Sequence, residues 1–282
     1  MNGVSGGPTA VDRVGRDRAL PDGRATPVWR VVAGQECRDL WWGARGPLLL
    51  LGLALLLSVI TYLAGSNQAL NFLEQRETVN LTLQVAVAVG VLLTLAVSAD
   101  ALSGERERGT MEVLLTTPVS RRDLVLGKLV AAMSLWFAAY VVAVPYLWAL
   151  ARGVRVLLLA LLLGLLVGTV LAVGLAGLGL LVSAGSTSNK VSVSSSLFLL
   201  LALFAPTQLP SGLPQGWFGD LLDRVNPVSA GLHYVSLVLV DGRPWAADLT
   251  YLTAPVVVAV LSVGASVLTA PRLVRLVPGR DR

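Results

Sequence analysis

Six long apolar runs that contain no charged residue limit what this chain can fold into. A helix needs about 20 apolar residues to cross the hydrocarbon core of a bilayer, and each run is close to that length or longer. The sequence therefore predicts an all-α polytopic membrane protein with six transmembrane helices. The predicted spans are residues 47–64, 81–99, 129–150, 156–183, 191–209 and 250–271.

The composition excludes several other classes of protein. Hydrophobic residues make up 55% of the chain and charged residues only 14%, whereas charged residues make up about 25% of a typical globular protein. The single cysteine, Cys37, excludes a disulfide scaffold. The apolar content also excludes a disordered chain and a soluble nucleic-acid binder, despite a net charge of +5. We therefore expect the lipid bilayer as a partner and no nucleic acid.

The positions of the cations predict how the spans are oriented. With a cytoplasmic N-terminus, 17 of the 22 lysine and arginine side chains fall in cytoplasmic segments and five fall outside. Such a bias is typical of the positive-inside rule. We therefore predict a multi-pass protein of the cell membrane (plasma or inner) with both termini in the cytoplasm.

The segments outside the spans have separate predicted roles. Residues 1–26 are rich in Gly, Pro, Arg and Asp, which predicts a disordered cytoplasmic tail. Residues 272–282 are predicted to be a cytoplasmic tail as well. Residues 27–46 alternate apolar and charged residues and contain a tryptophan pair, which predicts an interfacial amphipathic helix. A plain juxtamembrane linker is the alternative. In the outer loop 210–249, the apolar run 228–240 is too short to cross a membrane and predicts a re-entrant helix.

Small residues recur every four positions along the fourth span. Such a stripe allows another helix backbone to approach closely, and this packing drives helix association in lipid. We expect the neighbouring helix to come from the same chain, although a second copy is the alternative. The residues of the stripe are Ala160, Gly164, Gly168, Ala172 and Ala176.

The spans lack the chemistry of ion-driven carriers and of enzymes. Ion-coupled transporters keep Asp, Glu, His or Lys side chains within the bilayer, and no charged residue lies in any predicted span. The single histidine, His233, has no second His or Cys at ligand spacing, so no metal site is expected. Gly127-Lys128 is not a phosphate loop, because Leu129 replaces the required Ser or Thr. We predict that the chain is not an enzyme and binds no cofactor itself.

Residues 100–128, between the second and third spans, hold most of the predicted cytoplasmic charge outside the tails. Ser103 is positioned to cap a short helix with Glu105 and Glu107 in its first turn. Met111, Leu114 and Leu115 would share one face of that helix, and Pro118 would end it. The alternative is a solvated loop.

A second helix start follows in the same segment. Ser120 and Asp123 have the spacing of a capping box immediately before the third apolar run. This pattern predicts a short amphipathic helix parallel to the membrane, a sharp turn, and then the third span. The pair Arg121-Arg122 is expected to be exposed.

The same residues resemble a known family. Residues 105–121, followed by Leu126-Gly127-Lys128, are similar to the signature cytoplasmic segment of type-2 ABC exporter permeases. Among these, they most resemble the branch of the nitrous-oxide-reductase maturation and gliding-associated permeases. Residues 36–39 and the segment from Asn226 to Tyr251 resemble other parts of that family, with Cys37 as a departure.

The resemblance implies a six-span permease that pairs with a second permease copy or a homologue. It also implies a cytosolic pair of ABC ATP-binding subunits, which would carry ATP and Mg, and a coupling helix within residues 100–128, named the coupling segment below. A non-transporting component that drives a change in a partner is one alternative, and a secondary transporter is a less favoured one. The residues implied at the ATPase interface are Glu105, Glu107, Gly109, Thr110, Glu112, Leu115, Pro118, Arg121, Arg122, Gly127 and Lys128.

The orientation can be tested with reporter fusions. A reporter inserted after residue 68 is expected to read as external, and one fused after residue 282 as cytoplasmic, because only that assignment places most cations inside. Alkaline phosphatase and green fluorescent protein fusions provide complementary readouts. An external C-terminal fusion would contradict the six-span orientation.

Overall fold

The computed structural model describes residues 27–66, 72–110, 119–152, 156–208, 221 and 224–273. Within these ranges the secondary structure is helical and no strand occurs, so the predicted all-α fold is confirmed. The α-helices are α1 (Val28–Trp42), α2 (Arg45–Ser66), α3 (Phe72–Glu107), α4 (Arg121–Leu150), α5 (Leu157–Gly185), α6 (Asn189–Phe204), α7 (Pro227–Leu239) and α8 (Thr253–Leu273).

Six of these helices are long and apolar enough to cross a membrane, as the sequence predicted. The 3₁₀ turn Ala205–Gln208 extends α6, and the 3₁₀ turn Leu249–Leu252 precedes α8. The candidate spans are Arg45–Ala64, Gln75–Glu107, Arg121–Leu150, Leu157–Gly185, Asn189–Thr207 and Leu249–Pro271.

Three helices form the interior of the bundle and three lie at its periphery. Roughly half of the residues in the spans of α3, α4 and α5 are buried, against fewer than a quarter in those of α2, α6 and α8. The peripheral helices expose large apolar side chains, among them Leu55, Phe198 and Leu261. Their outward faces therefore suit lipid or another membrane chain rather than water.

The centre of the bundle is organised around Trp136 of α4, which is completely buried. Its indole N–H donates to the hydroxyl of Thr169 over 3.0 Å. Gly90 of α3 and Gly168 of α5 lie against the ring, and a Cβ atom at Gly90 would come within 2.8 Å of it. Both glycines therefore supply the space that a large aromatic side chain needs between two helices.

The predicted small-residue stripe faces this interior. All five of its residues are buried, and Gly164 packs against Leu83 and Tyr140. A second set of small residues on α5 meets α8, where Gly177 approaches Ser262. Helix α5 thus contacts neighbours on several sides, and the contacts of the stripe lie within the chain.

Helix α7 packs into the end of the bundle opposite to α1. Eleven of its 13 residues are buried, and it contacts α3, α5, α6 and α8. Asn226 caps it by accepting hydrogen bonds from the backbone N–H groups of Val228 (2.9 Å) and Ser229 (3.2 Å). Burial, and then the negative charge of Asp248, raises the pKa of Tyr234. The hydroxyl of Tyr234 donates a hydrogen bond to the carbonyl of Trp245. This helix coincides with the predicted re-entrant helix, whose depth in a bilayer stays a prediction.

The second span extends beyond the sequence prediction. The apolar run ends at residue 99, but α3 continues through Glu107, so the expectation that Ser103 caps a new helix is wrong. The helix ends at a glycine in the left-handed region, Gly109, with φ of 73°. The N–H of Thr110 bonds the carbonyl of Glu105 over 3.1 Å, as in a Schellman motif. Hydropathy located the apolar run, whereas this backbone turn ends the helix.

The packing of Trp136 predicts a steric sensitivity at Gly168. We expect Gly168→Leu to lower the thermal stability of the detergent-purified chain markedly, because overpacking a core costs about 1–3 kcal/mol or more. Gly52→Leu is the matched control, since no atom lies within 4 Å of a Cβ atom at Gly52. Size-exclusion profiles and thermal unfolding of both variants provide the measurement. Equal stability of the two variants would contradict the packing.

Candidate functional site

The coupling segment meets α1 and the ends of four other helices at the end of the bundle that holds α1, here called the α1 end. Its described parts are the last two turns of α3, the turn at 108–110, residues 119–120 and the first turns of α4. The second half of the predicted amphipathic helix, with Glu112, Leu115 and Pro118, lies outside the described residues, and its first half belongs to the end of α3 and the turn that follows. The site is therefore built from the two sides of the segment.

The start of α4 follows the predicted capping box. The hydroxyl of Ser120 accepts a hydrogen bond from the backbone N–H of Asp123 over 3.1 Å and donates to its carboxylate over 2.7 Å. The cap fixes where α4 begins, and hence where the side chains two turns later point. One of these is Lys128.

Lys128 is buried between two acids from two other helices. Its ammonium donates to Glu36 of α1 over 2.7 Å and also to Glu105 of α3. Only 1% of the Lys128 side chain is exposed, against 14% for Glu105 and 27% for Glu36. We call these three residues the Lys128 cluster. An unpaired buried ammonium would be very costly, so the two carboxylates are what allow this lysine to lie inside.

Helix α1 reaches Lys128 because Gly127 has no side chain. A Cβ atom at Gly127 would come within 2.6 Å of Val32 and 3.0 Å of the backbone of Ala33. Two turns further along α1, the indole of Trp41 donates to Ser134 over 3.3 Å. Helix α1 is thus packed along the first turns of α4; its position at a membrane surface stays a prediction.

A second ion cluster joins α2 to the end of α3. Asp100 accepts hydrogen bonds from Arg45 over 3.2 Å and from Arg108 over 3.3 Å. Both arginine side chains are about half exposed or more, so each pair contributes only about 0–1 kcal/mol. This cluster orients the helices more than it stabilises them.

Two adjacent residues at the end of α3 bind the ends of α5 and α6. Arg106 donates to the carbonyls of Ser186 and Ala184, the latter over 3.2 Å. Glu107 accepts a hydrogen bond from the backbone N–H of Asn189 over 3.2 Å. A cation at the C-terminus of α5 and an acid at the N-terminus of α6 each complement the local helix dipole.

Serine hydroxyls reinforce this junction from inside. The Ser183 oxygen accepts hydrogen bonds from the backbone N–H groups of Leu102 (3.0 Å) and Ser103 (2.9 Å). The carbonyl of Ala99 accepts the hydroxyls of Ser103 and Ser192, each over 2.7 Å. The last turns of α3 are therefore bound to α5 and α6 by both side chains and backbone.

A family model described as ABC-2 family transporter protein matches residues 47–275. The match covers most of the chain and includes all six candidate spans apart from the first two residues, Arg45 and Gly46. The chain belongs to the ABC-2 transporter family. No curated protein matches it. The chain is thus a membrane permease component of an ABC transporter, and the narrower branch suggested by its sequence stays a prediction.

Eight of the eleven predicted interface residues are described: Gly127 is buried against α1, and the other seven divide into two groups. Glu105, Glu107, Arg121 and Lys128 have partners within the chain; Arg121 donates to the carbonyl of Pro271 near the end of α8 over 2.8 Å. Gly109, Thr110 and Arg122 are exposed. The contact of these interface residues with an ATP-binding subunit stays a prediction.

Sequence reasoning missed several members of the site. Arg45, Asp100, Arg106 and Ser183 were not singled out as site residues, because their partners lie 55 to 81 positions away along the chain. Glu36 belonged to the resemblance, but nothing local connected it with Lys128. The burial of Lys128, one of only two lysines in the chain, would have indicated that acidic partners lie beside it. Burial of a particular side chain, however, cannot be read from the sequence.

The site carries ion pairs and hydrogen bonds rather than reactive groups. Among the described residues, no three His, Cys, Asp or Glu side chains are grouped to hold a metal ion. The ring of His233, on α7, lies against that of Tyr251 with 4.9 Å between the centroids and a tilt of 50° between the planes. What the arrangement at the α1 end can do is transmit displacement between helices.

Ser183 gives a direct test of the junction. We expect Ser183→Ala to cost about 0.5–1.5 kcal/mol, because the buried hydroxyl that joins α5 to α3 loses its hydrogen bonds, while the N–H groups of α3 keep their acceptors within the helix. Ser194→Ala on α6, where the side chain is exposed, should change stability little. Chemical denaturation of the purified permease measures both. A loss at Ser183 no greater than at Ser194 would contradict the proposed role of this hydroxyl.

Proposed function

We propose that this permease is the membrane subunit of an ATP-driven exporter, energised by a separate pair of cytosolic ABC ATP-binding subunits. The observation that carries the proposal is that one segment binds five other helices, four of them at their ends. From residues 100–128, polar side chains reach α1, α2, α5, α6 and α8. A displacement of that segment would reach all five.

The coupling segment is suited to receive such a displacement from outside. Its solvent-exposed residues include Arg108, Gly109, Thr110 and Arg122. They form the exposed rim of the α1 end. The spans carry no ionisable group in their middle to couple transport to an ion gradient. Energy must then come from a partner, and ATP and Mg would be bound there.

A second permease copy or homologue completes the proposed assembly. The outward faces of α2, α6 and α8 are apolar and offer a large surface for it. Helix α6 also exposes Ser194 and Ser195 within its candidate span. Hydroxyls at membrane depth are better accommodated against protein or water than against lipid. These features support a dimer in the cell membrane, with the α1 end in the cytoplasm.

Docking and transmission can be tested separately with single variants. Arg122→Glu reverses an exposed charge and is expected to weaken co-purification with the ATP-binding subunit, by roughly 2–5 kcal/mol if it breaks a desolvated interfacial pair. Arg106→Gln keeps the exposed rim but releases the end of α5. It should still co-purify and should lose most of the permease-dependent ATP hydrolysis.

Arg243→Gln is the matched control, because it removes an ion pair with Asp248 at the opposite end of the bundle. It should leave both binding and hydrolysis unchanged. Wild-type hydrolysis in Arg106→Gln would contradict transmission through the segment. ATP-dependent accumulation of a solute in inside-out vesicles would separate an exporter from a component that only drives a change in a partner.

A further inference from the structure

The Lys128 cluster contains two acidic side chains for one cation. A permanent contact would need only one acid to pair with the lysine. Glu105 contributes only one oxygen to Lys128, and its other carboxylate oxygen is buried without a hydrogen-bond partner among the described residues. Buried polar atoms are nearly always paired in stable structures. Glu105 is therefore only partly compensated in the closed cluster, because one of its oxygens lacks a donor among the described residues.

The two acids belong to different sides of the coupling segment. Glu36 lies on α1, which packs closely on α4 next to Lys128 at Gly127 and again at Ser134. Glu105 lies at the end of α3, where its neighbours Arg106 and Glu107 bind α5 and α6. The Lys128–Glu105 pair thus crosses from the α1–α4 side to the α3–α5–α6 side, whereas the Lys128–Glu36 pair stays within the first.

An open cleft lies along this boundary. Its volume is about 720 Å³, and its lining includes Gln35 of α1, Ala101 and Glu105 of α3, and Lys128 and Ala131 of α4. Separation of the two sides would widen this cleft and admit water. The unpaired oxygen of Glu105 would then be hydrated.

We propose that Lys128 is a positioning residue that exchanges one of its two acidic partners, Glu105, for water during the transport cycle. It binds both acids when the coupling segment is at rest, and it keeps Glu36 but releases Glu105 when the segment is displaced. The second acid is present so that the lysine remains paired in both states. The inference rests on the proposed function, since the displacement comes from the ATP-binding subunit.

The chain contains only two lysines, which makes the exchange measurable. Lys128 is buried and Lys190 on α6 is exposed. The complex with its ATP-binding subunit is treated with an amine-reactive acetylating reagent, without nucleotide and after trapping with ATP and vanadate, and labelling is quantified by mass spectrometry. We expect Lys128 to be protected without nucleotide and labelled several-fold more in the trapped complex, with Lys190 reporting the activity of the reagent.

Two conservative substitutions should act in opposite directions. Glu105→Gln removes the releasable partner and is expected to raise the labelling of Lys128 even without nucleotide. Glu36→Gln removes the partner of the displaced state, so Lys128 should stay protected in both states while permease-dependent ATP hydrolysis falls several-fold. Asp39→Asn, an exposed acid on the same helix, is the control and should change neither. Lys128→Arg should retain hydrolysis that Lys128→Met loses.

The outcomes separate this inference from the proposed function. Equal protection of Lys128 in both nucleotide states, in a complex that forms and hydrolyses ATP, would overturn the exchange and leave the proposed function standing. Shifts of the same sign in Glu36→Gln and Glu105→Gln would also overturn it, since a purely structural cluster behaves that way. Failure of any ABC ATP-binding subunit to co-purify would overturn the proposed function and the exchange together.

Discussion

The burial of one ammonium group determines how the helices meet at the α1 end. A charge taken out of water is tolerated only where opposite charges and hydrogen bonds replace the solvent. Lys128 obtains them from two helices distant in sequence, and this requirement fixes the position of α1 along α4. It also requires α3 to continue beyond its apolar run, because a helix ending at residue 99 would leave Glu105 without a defined direction.

Helix termini impose a related requirement on the other side of the segment. The last carbonyls of α5 and the first N–H groups of α6 lack partners within their own helices. The connection between these helices is only three residues long, Ser186–Ser188, so both sets of groups lie close together. Arg106 and Glu107 are adjacent and of opposite charge; Arg106 bonds two carbonyls at the end of α5, and Glu107 accepts from one N–H group at the start of α6. A single turn of α3 is thereby joined to two helices.

The features that sequence could predict are those determined by local physics. Apolar runs gave the number of spans, and the hydroxyl and acid spacing at Ser120 and Asp123 gave the start of α4. The prediction that Ser103 caps a helix was wrong because a serine followed by acids is also compatible with the interior of a helix. This holds when other residues provide hydrogen-bond partners for the serine. Those partners, Ser183 and Asn189, come from helices that fold against α3. The ion pairs could not be predicted for the same reason, since which acid reaches Lys128 depends on tertiary packing.

The charged composition of the Lys128 cluster suits a contact that opens and closes better than a permanent one. Next to the Lys128 cluster, Leu102 of α3 and Leu124 and Leu129 of α4 belong to one apolar cluster. Replacing a buried ion cluster by such side chains is often neutral or stabilising in other proteins, so stability alone does not account for the lysine. An ion cluster differs from an apolar contact in that a released carboxylate is solvated by the water that enters, while the buried lysine keeps its other acid. A cation held between two acids, beside an apolar contact that could have replaced it, is therefore the composition expected where two helices must separate and return.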